Sequence, residues 1–120
     1  MKTAILVMSD PDTGSEEALG RVFNALAAAH ELDRAGEPVS VRFHGTGTRW
    51  PALLEQPSHP AHDLYDAVRH TVAGVSCGCA DVFGAQTGEL ELLRDNPIAG
   101  TSGLASVSGL LADGYTILTY

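Results

Sequence analysis

Two thiols one residue apart, Cys77 and Cys79, sit in the stretch GVSCGCADVFGA (74–85) and are the only cysteines of the chain. A disulfide between them would close a small, strained ring, so they read as free thiols or as ligands. Cys79 is the first candidate catalytic residue. The apolar run Val72 to Cys77, closed by Gly78, suits a buried strand, and Cys79 then opens an Ala-rich segment with the makings of a short helix. A cysteine between a strand's carboxyl end and a helix's first turn lies where open α/β sheets place ligands and where backbone amides favour a nucleophilic thiolate. Asp81, two residues on, opposes that charge. The bland alternative is a small buried hydrophobe, the commonest fate of a free cysteine. Cys77 is the second candidate. Two residues apart on a strand, side chains point the same way, so Cys77 is either a resolving partner or core.

Other residues compete for chemistry. His44 follows the alternating segment Val39–Phe43 and is a candidate proton shuttle near the thiol, or simply a hydrogen-bonded neighbour. Behind it Gly45, Thr46, Gly47, Thr48, Arg49, Trp50 and Pro51 form a glycine-spaced loop able to approach a ligand closely. It lacks the lysine and the spacing of a P-loop. His44, Gly45, Thr46, Gly47 and Trp50 are therefore candidate walls of a pocket, against the plainer reading of a connecting loop. His62, Asp66 and His70 fall at i, i+4 and i+8, where one helix face would offer three metal ligands seven residues before the first thiol. No recognised zinc spacing accompanies them, and a solvated helix face is the simpler reading. No metal or cofactor is expected. Five histidines without a serine nucleophile motif make no case for a hydrolytic triad.

The elements that would position these groups follow from periodicity. Ala4 to Met8 is continuously apolar, the pattern of a strand covered on both faces in a parallel sheet. Thr13-Gly14-Ser15-Glu16 fits a capping box with Thr13 as N-cap, and Leu19, Val22, Phe23 and Leu26 follow at helical spacing up to a stop at Gly36. Val39 to His44 alternates, which gives a strand with one drier face, reached by a right-handed parallel crossover. A short helix is expected over 52–56 and a longer amphipathic one from about 61 to 73, carrying Leu64, Tyr65, Val68 and Val72. Ile98-Ala99 is a minimal candidate for a fourth strand. Thr101-Ser102 would cap a helix bearing Leu104, Val107, Leu110 and Leu111, ended by Gly114, and 115–120 is a final strand. Strands alternating with helices predict an α/β fold, a three-layer α/β/α sandwich on a mostly parallel sheet of about five strands.

Composition narrows the function. With 120 residues the chain is sized for one domain. Seven basic against 15 acidic residues give a formal charge of −8, which repels nucleic-acid phosphates and anionic membrane surfaces. The apolar run before Ser9-Asp10-Pro11 is too short for a signal-peptide core or a membrane span, so a cytoplasmic protein is expected.

Taken together, the strand–helix–strand opening, FHGTGTRWP (43–51), HPAHDLYDAVRHTVAGVSCGCADVFGA (59–85) and SGLASVSGLLADGYTILTY (102–120) resemble the DsrE/DsrF-like family, also called YchN-like, over nearly the whole chain. The resemblance implies a parallel-sheet α/β/α domain that assembles as a homotrimer or hexamer. In members of known role it implies a cysteine that carries sulfur as a persulfide, received from and passed to a donor or acceptor protein. The match of CADVFG to the segment beginning at the family's cysteine puts that role on Cys79. The chain departs from the pattern in two places. Phe83 stands before Gly84 where better-known members carry arginine, and the cysteines are spaced C-x-C, with Ser76 where a C-x-x-C branch has its first thiol. The alternative, from a different class, is an oligomeric module that binds a small ligand in the pocket behind His44 without turning it over.

Overall fold

The computed structural model describes residues 1–120. Its most buried strand is the one that the apolar run forecasts. β1 (Lys2–Val7) buries every residue from Thr3 onward and ends one residue short of the apolar run, leaving Met8 exposed past its end. A single 3-10 turn at Pro11–Thr13 follows, closed on itself by the Asp10 side chain, which accepts from Asp12 N (2.9 Å). That turn displaces the expected helix start. α1 (Glu16–Arg34) is capped by Ser15, whose Oγ accepts from Ala18 N at 3.0 Å, and not by Thr13, whose hydroxyl donates to Asp10 O. Glu16 is then the first helical residue and not the third, so no capping box forms. The far end agrees with the sequence: Glu37 N reaches back to Leu32 O and Gly36 N to Asp33 O, as at a glycine stop.

β2 (Val39–Phe43) runs parallel to β1, and beyond it a 3-10 segment, Gly45–Arg49, leads directly into the short α2 (Trp50–Leu54). α3 (His62–Val68) is shorter than its periodicity suggests. Its continuation tightens into a 3-10 turn at Arg69–Thr71, and β3 (Val72–Ser76) begins at once. α4 (Cys77–Phe83) follows β3 without an intervening residue. The fourth strand is not Ile98-Ala99 but β4 (Leu92–Leu93), just two residues long. The last helix, α5 (Val107–Ala112), starts at the Ser106 cap and not at Thr101-Ser102, because Leu104 is drawn out of the helix to pair with Asn96 in an isolated antiparallel bridge. β5 (Tyr115–Thr119) completes the sheet.

The strand order is β4-β3-β2-β1-β5 and every neighbouring pair is parallel. The fold is therefore an α/β sandwich on a fully parallel sheet. Strand alternation divides the interior in two. Ile5, Val7, Val41, Phe43 and Val75 face Val22, Ala25, Leu26, Trp50, Leu54, Tyr65 and Val68 in a core of fifteen buried residues. The opposite face buries a cluster of only three, Ala4 and Leu6 against Leu110 of α5, flanked by Tyr115 and Ile117. On that thinner side β2 presents Ser40 and Arg42, with Arg42 Nε donating to Ser40 Oγ at 3.2 Å. All strand carboxyl ends open on one edge of the sheet.

Candidate functional site

That edge gathers the segment after β1, the 3-10 segment after β2 and the start of α4. Both cysteines are free. Cys79 is half-buried in the first turn of α4, and Cys77 is buried at 6% exposure as its first residue. The expectation that Cys77 lies within the strand is thus corrected. β3 ends at Ser76, whose extended backbone (φ −64°, ψ 116°) turns the chain into the helix. The correction matters for chemistry. Two residues along a strand share a face, but two residues along a helix are separated by about 200° of rotation. The thiols therefore diverge, and Cys77 is not placed to resolve a bond formed at Cys79.

The start of α4 is pinned by the segment preceding α5. Gly78 N donates to Gly103 O at 2.7 Å, and the buried Ser76 Oγ accepts from Ala105 N at 3.0 Å. No other residue fits at position 78, because a Cβ there would lie 2.7 Å from Leu104 Cδ1 and 2.9 Å from Gly103 O. Ser102 sits against the helix as well, with its Oγ 3.3 Å from Cys77 Sγ and donating to Asp81 Oδ2.

The candidate pocket residues have other work. Gly47 lies tight against its own chain: a Cβ would fall 2.1 Å from Val7 O. Trp50 is core, with its ring nitrogen donating to Ser9 O at 2.9 Å. Thr46 Oγ1 donates to Met8 O at 3.1 Å, and half-buried Gly45 accepts the Thr48 hydroxyl at 2.7 Å. Surface depressions open beside these residues and not among them. One of about 500 Å³ lies between Pro51, Glu55, Arg69 and residues 86–90, one of about 440 Å³ between Ser9, Asp10, Thr13 and Arg21, and one of about 340 Å³ between Arg94 and residues 97–103.

His44 ends β2 in extended conformation, on the same face as Ser40 and Arg42, and is buried with its Nε2 unpartnered. Burial, reinforced by the Arg42 charge and only partly offset by Asp95, pushes its pKa down to about 4. It is neutral at physiological pH and too weak a base for the proton shuttle considered from sequence. The helix-face metal set also comes apart. α3 ends before His70, which pairs with Asp33 at 2.9 Å; His62 Nδ1 is bonded to Leu54 O at 2.7 Å, and Asp66 pairs with Arg69.

Arg49, which the sequence places only within the glycine-spaced loop, has a role of its own. Arg49 reaches the Asp10 carboxylate at 3.0 and 3.1 Å and Asp12 at 3.3 Å, while its Nε donates to Phe83 O at 3.3 Å and its guanidinium lies over the Phe83 ring at 5.6 Å. It ties the segments after β1 and β2 to the carboxyl end of α4. With two carboxylates on it, the guanidinium works as a brace and not as a free positive charge. Nothing local to position 49 announces this, since the partners lie 34 to 39 residues away.

The family model for the DsrE/DsrF-like family matches residues 1–120. The chain belongs to the DsrE/DsrF-like family. No curated protein and no solved structure matches it. No helix in it is long and apolar enough to cross a membrane.

Proposed function

We propose that this DsrE/DsrF-like protein is a small cytoplasmic sulfur carrier in which Cys79 takes a sulfane sulfur from a donor protein and passes it to an acceptor. The family is associated with sulfur relay. The observation that carries the assignment to one residue is the contrast within α4: Cys79 is the half-exposed thiol, with no hydrogen bond to the protein, whereas Cys77 is buried against Ser102. The Cys79 thiolate attacks the outer sulfur of a persulfide donor, R–S–SH. The sulfur–sulfur bond of the donor breaks, R–S⁻ leaves with the electron pair, and Cys79 holds the sulfur as a persulfide. An acceptor thiolate reverses the sequence and regenerates Cys79. The braced, glycine-pinned α4 supports this role, because a carrier needs a thiol held at a fixed mouth and open to a partner.

Incubation with a sulfane-sulfur donor followed by intact mass spectrometry tests the reading. The wild type should gain one sulfur atom, and Cys79→Ser should gain none while melting within a few degrees of wild type. Cys77→Ser should still load and should lose about 1–3 kcal/mol of stability, because a hydroxyl replaces a buried thiol. Loading by Cys79→Ser but not by Cys77→Ser would reverse the assignment. Loading by both would mean that either thiol can carry sulfur, and no loading of the wild type would favour a ligand-binding module without turnover. The carrier is further proposed to act as a homotrimer or hexamer, and light scattering at micromolar concentration should return a multiple of three protomers and not the 12.5 kDa monomer.

A further inference from the structure

Ser102 touches two residues of α4 that lie one helical turn apart, Cys77 and Asp81, and the direction of these bonds is fixed at one end. A carboxylate offers only lone pairs, so Ser102 donates its single proton to Asp81 Oδ2. The hydroxyl then has only lone pairs left for Cys77, whose Sγ lies 3.3 Å from Ser102 Oγ, and the thiol must be the donor. The geometry is held from outside the helix by the Gly78–Gly103 and Ser76–Ala105 bonds, which seat residues 102–105 against α4. Without Asp81 the same hydroxyl would be free to turn and donate to a Cys77 thiolate. With Asp81 it is committed to receiving.

We propose that Ser102, its proton committed to Asp81, is a positioning residue that holds Cys77 as a hydrogen-bonded thiol and so leaves Cys79 as the one cysteine of the pair able to act as a nucleophile. A bond donated by the neutral thiol favours that form over the thiolate, and the thiolate is the reacting species. The C-x-C pair is thereby made unequal by a third residue 25 positions further along the chain. The consequence for sulfur handling rests on the carrier reading above; the hydrogen-bond assignment does not.

The test isolates Cys77 in the full chain by Cys79→Ser and follows its alkylation by iodoacetamide from pH 6 to 10, read by intact mass. Asp81→Ala should raise the rate at pH 7.5 about tenfold by moving the rate profile to lower pH, with the high-pH plateau unchanged. Asp81 and Ser102 are both exposed, so neither change disturbs the core. Loss of the Asp81 charge alone would act whether or not a hydroxyl is present, so the deciding comparison is Asp81→Ala with and without Ser102→Ala. The proposal expects the rise to be at least fivefold smaller when Ser102 is absent. An equal rise in both backgrounds, no rise, or a higher plateau without a shift along the pH axis would each overturn it. Sulfur loading is not measured here, so an absence of loading at Cys79 would refute the carrier reading and leave this result standing.

Discussion

The two faces of the sheet are built to different standards. One carries α1, α2 and α3 over a fifteen-residue core, with Phe43 and Tyr65 meeting edge to face at 6.5 Å between ring centres. The other carries the single six-residue helix α5, whose Leu110 packs on buried Ala4 and Leu6, and places Ser40, Arg42 and the unpartnered His44 where the first face places Val41 and Phe43. α5 also leaves Val107 and Leu111 exposed, one turn apart. The lesson is a division of labour. Apolar burial and dispersion on the thick side supply most of the stability, and the thin side tolerates polar groups that a second full core would exclude.

The comparison breaks most readily by truncation. Phe43→Ala should cost about 4 kcal/mol, since it opens a cavity among fully buried neighbours, while Leu110→Ala should cost about 2 kcal/mol because its flanking residues are only partly buried and can relax. Chemical denaturation of the two variants measures the difference, and equal losses would mean that the faces contribute alike. The next effect is in pH. His44 titrates near 4 in the folded chain against about 6.5 when unfolded, so between these values the unfolded state binds a proton that the folded state refuses. Its contribution is fully present above about pH 6.5 and is lost as pH falls to about 4, by up to about 3 kcal/mol, and His44→Asn should flatten that part of the stability profile. A profile that kept its slope in the variant would assign the effect to other groups. The smallest test uses the helix caps. Ser15→Ala on the thick side and Ser106→Ala on the thin side each remove one capping bond, at 3.0 Å in both cases, and should each cost about 1 kcal/mol in thermal unfolding. A larger loss for Ser106 would show that α5 depends on its cap for lack of core.

Much of the thick face is legible in the chain. The unbroken apolar run of β1, the α1 spacing Leu19–Val22–Phe23–Leu26 and the Val41/Phe43 alternation are local patterns, and each forms where its period places it. The thin face and the site depend on partners distant in sequence. Gly78 weakens a helix on propensity, yet α4 begins before it because Gly103 and Leu104 press against that position. Leu104 has the right spacing to join α5 and instead pairs with Asn96, and β4 is too short to leave any period. Cys79 lies in the first turn of α4, two residues past the strand–helix junction at which its sequence context puts it. Cys77 reads as strand and is helix, because the apolar run continues smoothly through the residue where strand becomes helix.

The strand order carries a further consequence, for the time course of folding. β1 pairs on one edge with β2, which follows within about forty residues, and on the other with β5, where Lys2 lies opposite Tyr115. Synthesised at roughly 5–20 residues per second, the chain leaves the second edge of its most buried strand without a partner for on the order of ten seconds. The last pairing must also close nearly the whole chain into a loop, so the final step of assembly is expected to be slow relative to the local α1 and β2 steps. During that interval Ile5 to Val7 present an open apolar edge, at which the most buried strand of the sheet can pair with another chain.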